Sequence, residues 1–212
     1  MNIVDQLNSS IIYVIGLAFI VGLICIKKFW RSPIVILIIY LGVLLFIEYY
    51  GSIIENNHWL YNIQSSWEYL SYVLIFYLSV KRPRSKKIVL GLALAGILFL
   101  CVDLIFISGT FRQYLTTAFG FVSVLLPLMC FVYLFEMVDS EKVVNQNRVF
   151  MYWMCIGLMV YHLCNLPQTV LINELIDLQG YAIIYTIQAL SSIVMYTCFM
   201  IGFIWSDPKY NT

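Results

Sequence analysis

The chain has 212 residues, 62% of them hydrophobic and only 11% charged, with a net charge of +1. Soluble domains are nearer about 45–50% apolar and about 25% charged, so a soluble enzyme, a disordered chain and a secreted disulfide scaffold are excluded. Nucleic acid, which calls for a basic patch, is excluded as a partner; the lipid bilayer is the expected surrounding, with a mean hydropathy of +0.91.

A spanning helix needs about 20 mostly apolar residues. Seven stretches meet that need, at 10–26, 33–50, 61–80, 88–108, 115–137, 149–172 and 180–204. Barrel strands would be about ten residues long with apolar–polar alternation, whereas these runs are longer and apolar all round. The connections are too short to fold alone. The expectation is an all-α membrane protein, residues 1–212 forming a single bundle of seven transmembrane helices.

Taken in chain order, the first run has no basic residue before it and Lys27 and Lys28 directly after it. That pattern reads as a first helix with its N-terminus outside, and not as a cleavable signal peptide. Arg31 follows in the same connection, and Lys81, Arg82, Arg84, Lys86 and Lys87 lie between spans 3 and 4. Lys142 and Arg148 lie between spans 5 and 6, and Lys209 is in the tail; Arg112 stands alone on the opposite side. Basic residues stay cytoplasmic, so the C-terminus is expected inside, in a bacterial inner membrane. Trp30, Trp59, Trp67, Trp153 and Trp205 fall near span ends, where an amphipathic ring suits the interface.

Cys25, Cys101, Cys130, Cys155, Cys164 and Cys198 all lie inside spans without CxxC spacing. They read as small apolar fillers, as the methionines do. With only His58 and His162 as histidines, no metal site and no cofactor is expected. Span 7 holds no lysine, so a retinal Schiff base has no anchor. The motifs of membrane proteases and phosphate-cradling glycine loops are absent, and the enzyme reading is the weakest.

The informative residues are polar groups inside the spans. An acidic side chain at mid-helix costs about 2.5–3.5 kcal/mol on the insertion scale, so it must be paired, protonated or hydrated. At about 1.5 Å per residue from the outer end, Glu68 lies about 10 Å deep, Asp103 about 8 Å, His162 about 15 Å and Gln188 about 12 Å. Glu48 and Glu136 sit at span ends and are expected to reach the head groups. Polar stripes run along span 3 (Tyr61, Gln64 or Ser65, Glu68, Tyr72), span 6 (His162, Asn165, Gln168 or Thr169) and span 7 (Tyr181, Tyr185, Gln188, Ser192), spaced to share a helix face. Lipid satisfies none of them, so they are expected to turn inward. The candidate ligand-binding set is Glu68, Asp103, His162, Asn165, Gln188 and Tyr185, lining a polar crevice open to the outside. Interhelical hydrogen bonding without a ligand explains the same pattern. Pro127 and Pro167 interrupt spans 5 and 6.

Two resemblances bear on function. Asn57-His58-Trp59-Leu60-Tyr61-Asn62 running into Trp67-Glu68-Tyr69, then Asn147-Arg148-Val149-Phe150, Trp153, Gly157 and Tyr161, resemble small stand-alone seven-span proteins of Bacteroidetes over residues 57–205. That group is sensor-like but has no assigned activity to carry over; a neighbourhood with two-component signalling genes would imply sensing. In architecture the chain is also similar to seven-span sensor modules fused to histidine kinases, from which it departs in having no output domain. The pair Pro167-Gln168 resembles the PQ-loop carriers, which show it in each of two repeats; here it occurs once.

The leading expectation is a sensor subunit that takes a small-molecule ligand or a proton and signals through a separate partner such as a histidine kinase. A small secondary transporter is the alternative. An intramembrane lipid-modifying enzyme using Glu68 and Asp103 as an acid–base pair is the third reading.

Overall fold

The structure, a computed structural model, describes residues 3–54, 57–107, 115–139, 141–175 and 181–210, except for the side chains of 3–9, 141–144, 168–175 and 181–184. Its helices are α1 (Ile3–Phe29), α2 (Ile34–Gly51), α3 (His58–Ser79), α4 (Pro83–Val102), α5 (Thr116–Val138), α6 (Phe150–Leu175) and α7 (Tyr181–Trp205). No strand occurs among the described residues. Each expected span has a helix, and the bounds differ mainly at α1 and α4, which start earlier. Lys27 and Lys28 in the last turn of α1 suit the negative end of its dipole. Pro83 opens α4, where its missing N–H costs nothing and its fixed φ suits a first turn.

Each helix packs on its neighbours in sequence, and α1 closes the ring against α7; α3 also reaches α5. One continuous apolar core fills the ring, from Leu37 and Leu41 on α2 through Ile75 and Phe76 on α3 to Met154 on α6 and Phe199 on α7. At one end, Phe29, Phe150 and Phe203 stack edge to face, binding the ends of α1, α6 and α7 together.

That end also gathers the basic connections. Lys28 Nζ donates to the carbonyl oxygens of Phe203 and Ile204 at 3.3 and 3.2 Å. The Asp207 N–H donates to the Arg148 carbonyl at 2.9 Å. The Glu136 carboxylate accepts the N–H groups of Lys81 and Arg82 at 2.6 and 3.1 Å, capping the positive end of the α4 dipole. Glu136, at a span end, is thus tied to the backbone before α4.

Among the described residues, five helical segments are long and apolar enough to cross a membrane: Ser10–Phe29, Ile34–Gly51, Pro83–Ile107, Thr116–Val138 and Tyr185–Trp205. The two remaining helices, α3 and α6, are those that carry Glu68, His162 and Asn165. Large apolar side chains cover the outside of the ring: Ile24 is 76% exposed, Phe106 79% and Phe135 73%. Apolar surface on this scale, spread over nearly every helix, is unsuited to water. The chain is an integral membrane protein.

Candidate functional site

The polar side chains form three groups. The first is central. Glu68 lies on the face of α3 that carries Tyr72 one turn later, and Tyr40 of α2 packs against Tyr72 with ring centroids 5.5 Å apart. Tyr196 of α7 completes the surround, so the Glu68 carboxyl has tyrosines from α2, α3 and α7 within electrostatic reach, and Tyr161 of α6 reaches those tyrosines in turn. Tyr40 and Tyr72 are 1% and 0% exposed. Their hydroxyls come near the carboxyl yet close no direct hydrogen bond of ordinary geometry. A buried hydroxyl left in that state costs about 1–3 kcal/mol.

Glu48 joins this group from the far end of α2. It lies two helical repeats from Tyr40, so both share the inward face with Leu44. The Tyr61 hydroxyl donates to Glu48 Oε2 over a long 3.5 Å, and Glu48 is within electrostatic reach of Glu68. Among the described residues, no basic side chain acts on either carboxyl.

The second group lies between α5, α6 and α7. His162 Nδ1 is 3.3 Å from Ser123 Oγ, and the His162 ring meets Tyr161 edge to face at 5.0 Å. His162 Nε2 is buried with no hydrogen-bond partner among the described residues. Pro127, one turn after Ser123, lacks the N–H that the Ser123 carbonyl would otherwise accept. Asn165 Nδ2 donates to Ser191 Oγ at 3.5 Å, and Ser191 and Ser192 donate to the Gln188 carbonyl at 2.9 and 2.8 Å. Tyr185 and Gln188 are half-buried on the preceding turns of α7. The side chains of Gln168, Thr169 and Tyr181, and all of Arg112, lie outside the described residues.

The third group holds Asp103. The α4 backbone widens into a π-helical turn over Asp103–Ile107, and Asp103, fully buried, accepts the Ala118 N–H at 2.6 Å. Ala118 belongs to the first turn of α5, whose leading N–H groups have no helical partner. Asn62 Oδ1 accepts the neighbouring Leu115 N–H at 3.2 Å. Asp103 is therefore committed to the start of α5, and the structure joins Glu68 to tyrosines and Glu48 instead.

Of the six sequence candidates, Glu68 anchors the central group and His162 adjoins it through Tyr161. Asn165, Gln188 and Tyr185 lie along the α6–α7 seam. Tyr40, Tyr196 and Glu48 are the central residues that the sequence reading missed. No group of three or more histidine, cysteine or acidic side chains placed for a metal occurs among the described residues. Comparison with family models, curated proteins and solved structures gives no match for this chain.

Proposed function

We propose that all seven helices cross the membrane, with the N-terminus outside, and that the bundle is a sensor subunit of a bacterial inner membrane. At about 1.5 Å per residue, α3 with 22 residues and α6 with 26 are long enough for a hydrocarbon core about 30 Å thick. Their polar side chains explain their lower hydropathy, and those polar groups are turned inward: Asn62, Ser71, His162 and Asn165 are buried while Trp67, Leu70, Leu74 and Leu163 face outward. The gathering of basic residues at one end supports a cytoplasmic assignment of that end.

The observation that carries the sensing role is Glu68. An ionisable group inside a membrane bundle is costly and marks a functional site by default. Here it is coupled to side chains of α2 and α7 as well as its own α3, so a change in its charge or occupancy acts on all three. Tyr40, Tyr72, Tyr161 and Tyr196 would re-form their hydrogen bonds, the helices would shift, and a separate partner such as a histidine kinase would read the shift at the basic end.

The test is gentle extraction of the tagged protein from its native membrane, followed by mass spectrometry and a phosphorylation assay on what co-purifies. A histidine kinase held at near-equal ratio, with output altered by Glu68→Gln, supports the sensor. A chain that comes out alone contradicts it. Thiol labelling of cysteines placed at Arg84 and His58 tests the orientation, since an impermeant reagent in the external medium should reach only the second.

A transporter is the second reading, favoured by Pro127 inside α5 beside the buried His162–Ser123 contact. Interrupted helices with polar groups at mid-depth are how many secondary carriers hold their cargo. Solute accumulation in proteoliposomes would favour it.

A further inference from the structure

We infer that the species exchanged at the central site is a proton, held on Glu68 and delivered through Glu48. The inference rests on the reading of Glu68 as the responsive group, and adds the ligand and its route.

Two carboxyls lie within electrostatic reach of each other, and among the described residues the other groups acting on them are tyrosines. Tyr40 reaches Glu68 from α2, Tyr72 from α3 and Tyr196 from α7, and Tyr161 of α6 acts on those three tyrosines. Among the described side chains, the acidic groups within α4 and α5 are engaged elsewhere, Asp103 of α4 with the Ala118 N–H and Glu136 of α5 with the Lys81 and Arg82 N–H groups. Two uncompensated negative charges in low dielectric repel strongly, so the site calls for one positive charge.

An organic cation needs open space, and Tyr40 and Tyr72 beside Glu68 are almost wholly buried, with Glu68 itself half-buried. A metal ion needs a cage of oxygen ligands. A proton needs neither. The buried hydroxyls of Tyr40 and Tyr72, without direct hydrogen bonds, suit both states: each can donate to a charged carboxylate, or accept from a neutral carboxylic acid.

Tyr61 precedes Glu68 by two helical turns on α3, and Glu48 meets the Tyr61 hydroxyl, so Glu48 stands between Glu68 and the α2–α3 connection. In the step proposed, a hydronium ion gives its proton to a Glu48 carboxylate oxygen and leaves as water. Glu48 then releases that proton as Glu68 takes one up, a buried hydroxyl accepting on its lone pair and giving up its own hydrogen between them. Negative charge returns to Glu48, and the site as a whole is one charge more positive.

The experiment is infrared difference spectroscopy of the full chain in lipid vesicles, following the carboxylic-acid C=O band and its hydrogen–deuterium exchange. The wild type is expected to show the band, and Glu68→Gln to lose it. Glu48→Gln should keep the band and slow its exchange about 10²-fold, the lower end of what a positioned proton donor supplies, and Glu48→Asp should restore fast exchange. An absent band in wild type overturns the inference, as does unchanged exchange in Glu48→Gln, or a band that sodium removes at fixed pH. The sodium arm needs no variant. A band that behaves as expected while Glu68→Gln leaves kinase output untouched would sink the sensor reading and leave the proton assignment standing.

Discussion

Tyr40 of α2 and Tyr72 of α3 meet with ring centroids 5.5 Å apart and planes at 58°, and both hydroxyls are buried beside Glu68 without a direct hydrogen bond. Such hydroxyls are a liability for folding, since the rings supply the packing and the oxygens find no settled partner. Tyr72→Phe should therefore leave stability within about 0.5 kcal/mol of wild type, or raise it. Tyr69, one turn away from that pattern, is the control: its hydroxyl donates to the Leu92 carbonyl at 3.0 Å, and Tyr69→Phe should cost about 0.5–1.5 kcal/mol. Thermal unfolding in detergent measures both. A larger loss in Tyr72→Phe than in Tyr69→Phe would contradict the arrangement.

The same Tyr69 ring lies against Gly96 of α4, where an added Cβ would overlap its hydroxyl and the carbon that bears it. Gly96→Ala should destabilise the bundle by about 1–3 kcal/mol, the usual cost of overpacking. Tyr69→Phe in the same chain should recover part of that loss, because the hydroxyl is the nearest obstacle. Additive losses in the double variant would mean that the two helices approach elsewhere.

Asp103 and Glu68 are both acidic and both inside helical spans, yet they should behave differently. Asp103→Ala removes the acceptor of the buried Ala118 N–H and should cost about 1–3 kcal/mol. Asp103→Asn keeps an acceptor oxygen and should cost less. Neither should alter the proton exchange of Glu68. An Asp103→Asn variant that is stable but lacks the Glu68 response would return Asp103 to the site.

Two acidic residues near the end of α5 also separate. Asp139 pairs with Arg82 at 2.7 Å, but both side chains are more than half exposed, and exposed pairs contribute about 0–1 kcal/mol. Glu136 holds two backbone N–H groups. Asp139→Asn should be nearly silent, and Glu136→Ala should lower the unfolding midpoint clearly. Equal effects would show that the α3–α4 connection is not held through Glu136.

Thiol reactivity tests the packing around the ring. Cys130, Cys155 and Cys198 are buried, whereas Cys101 and Cys164 are exposed on the outside of the bundle. A membrane-permeant thiol reagent should modify Cys101 and Cys164 first and reach the buried three only on unfolding, since access governs thiol chemistry as much as acidity does. Early modification of Cys130 or Cys155 would mean that α5 and α6 are turned the other way.

The helices were legible because long apolar runs bounded by basic residues leave little choice of structure. Glu68 was legible for the opposite reason, as a carboxyl in an apolar run. Its neighbours were not. Tyr40 and Tyr196 are ordinary aromatic residues within their own spans, and nothing local distinguishes them from packing. The signal for Glu48 was its helical phase with Tyr40 and not its nearness to a span end. Asp103 sat at the right depth for the central group, but its partner comes from the first turn of the next helix. Depth orders residues along the membrane normal; the direction each one faces is set by neighbouring helices.

The central claim is that Glu68 governs the arrangement of the helices, and electron–electron distance measurement in lipid vesicles tests it most directly. Spin labels would be attached to cysteines placed at Arg84 and Asn147, both exposed at the basic end, in wild type and in Glu68→Gln, across a pH series. The expected result is a distance distribution that changes with pH in the wild type and stays fixed in Glu68→Gln. A distribution that ignores pH in the wild type, or that moves equally in both proteins, would contradict it.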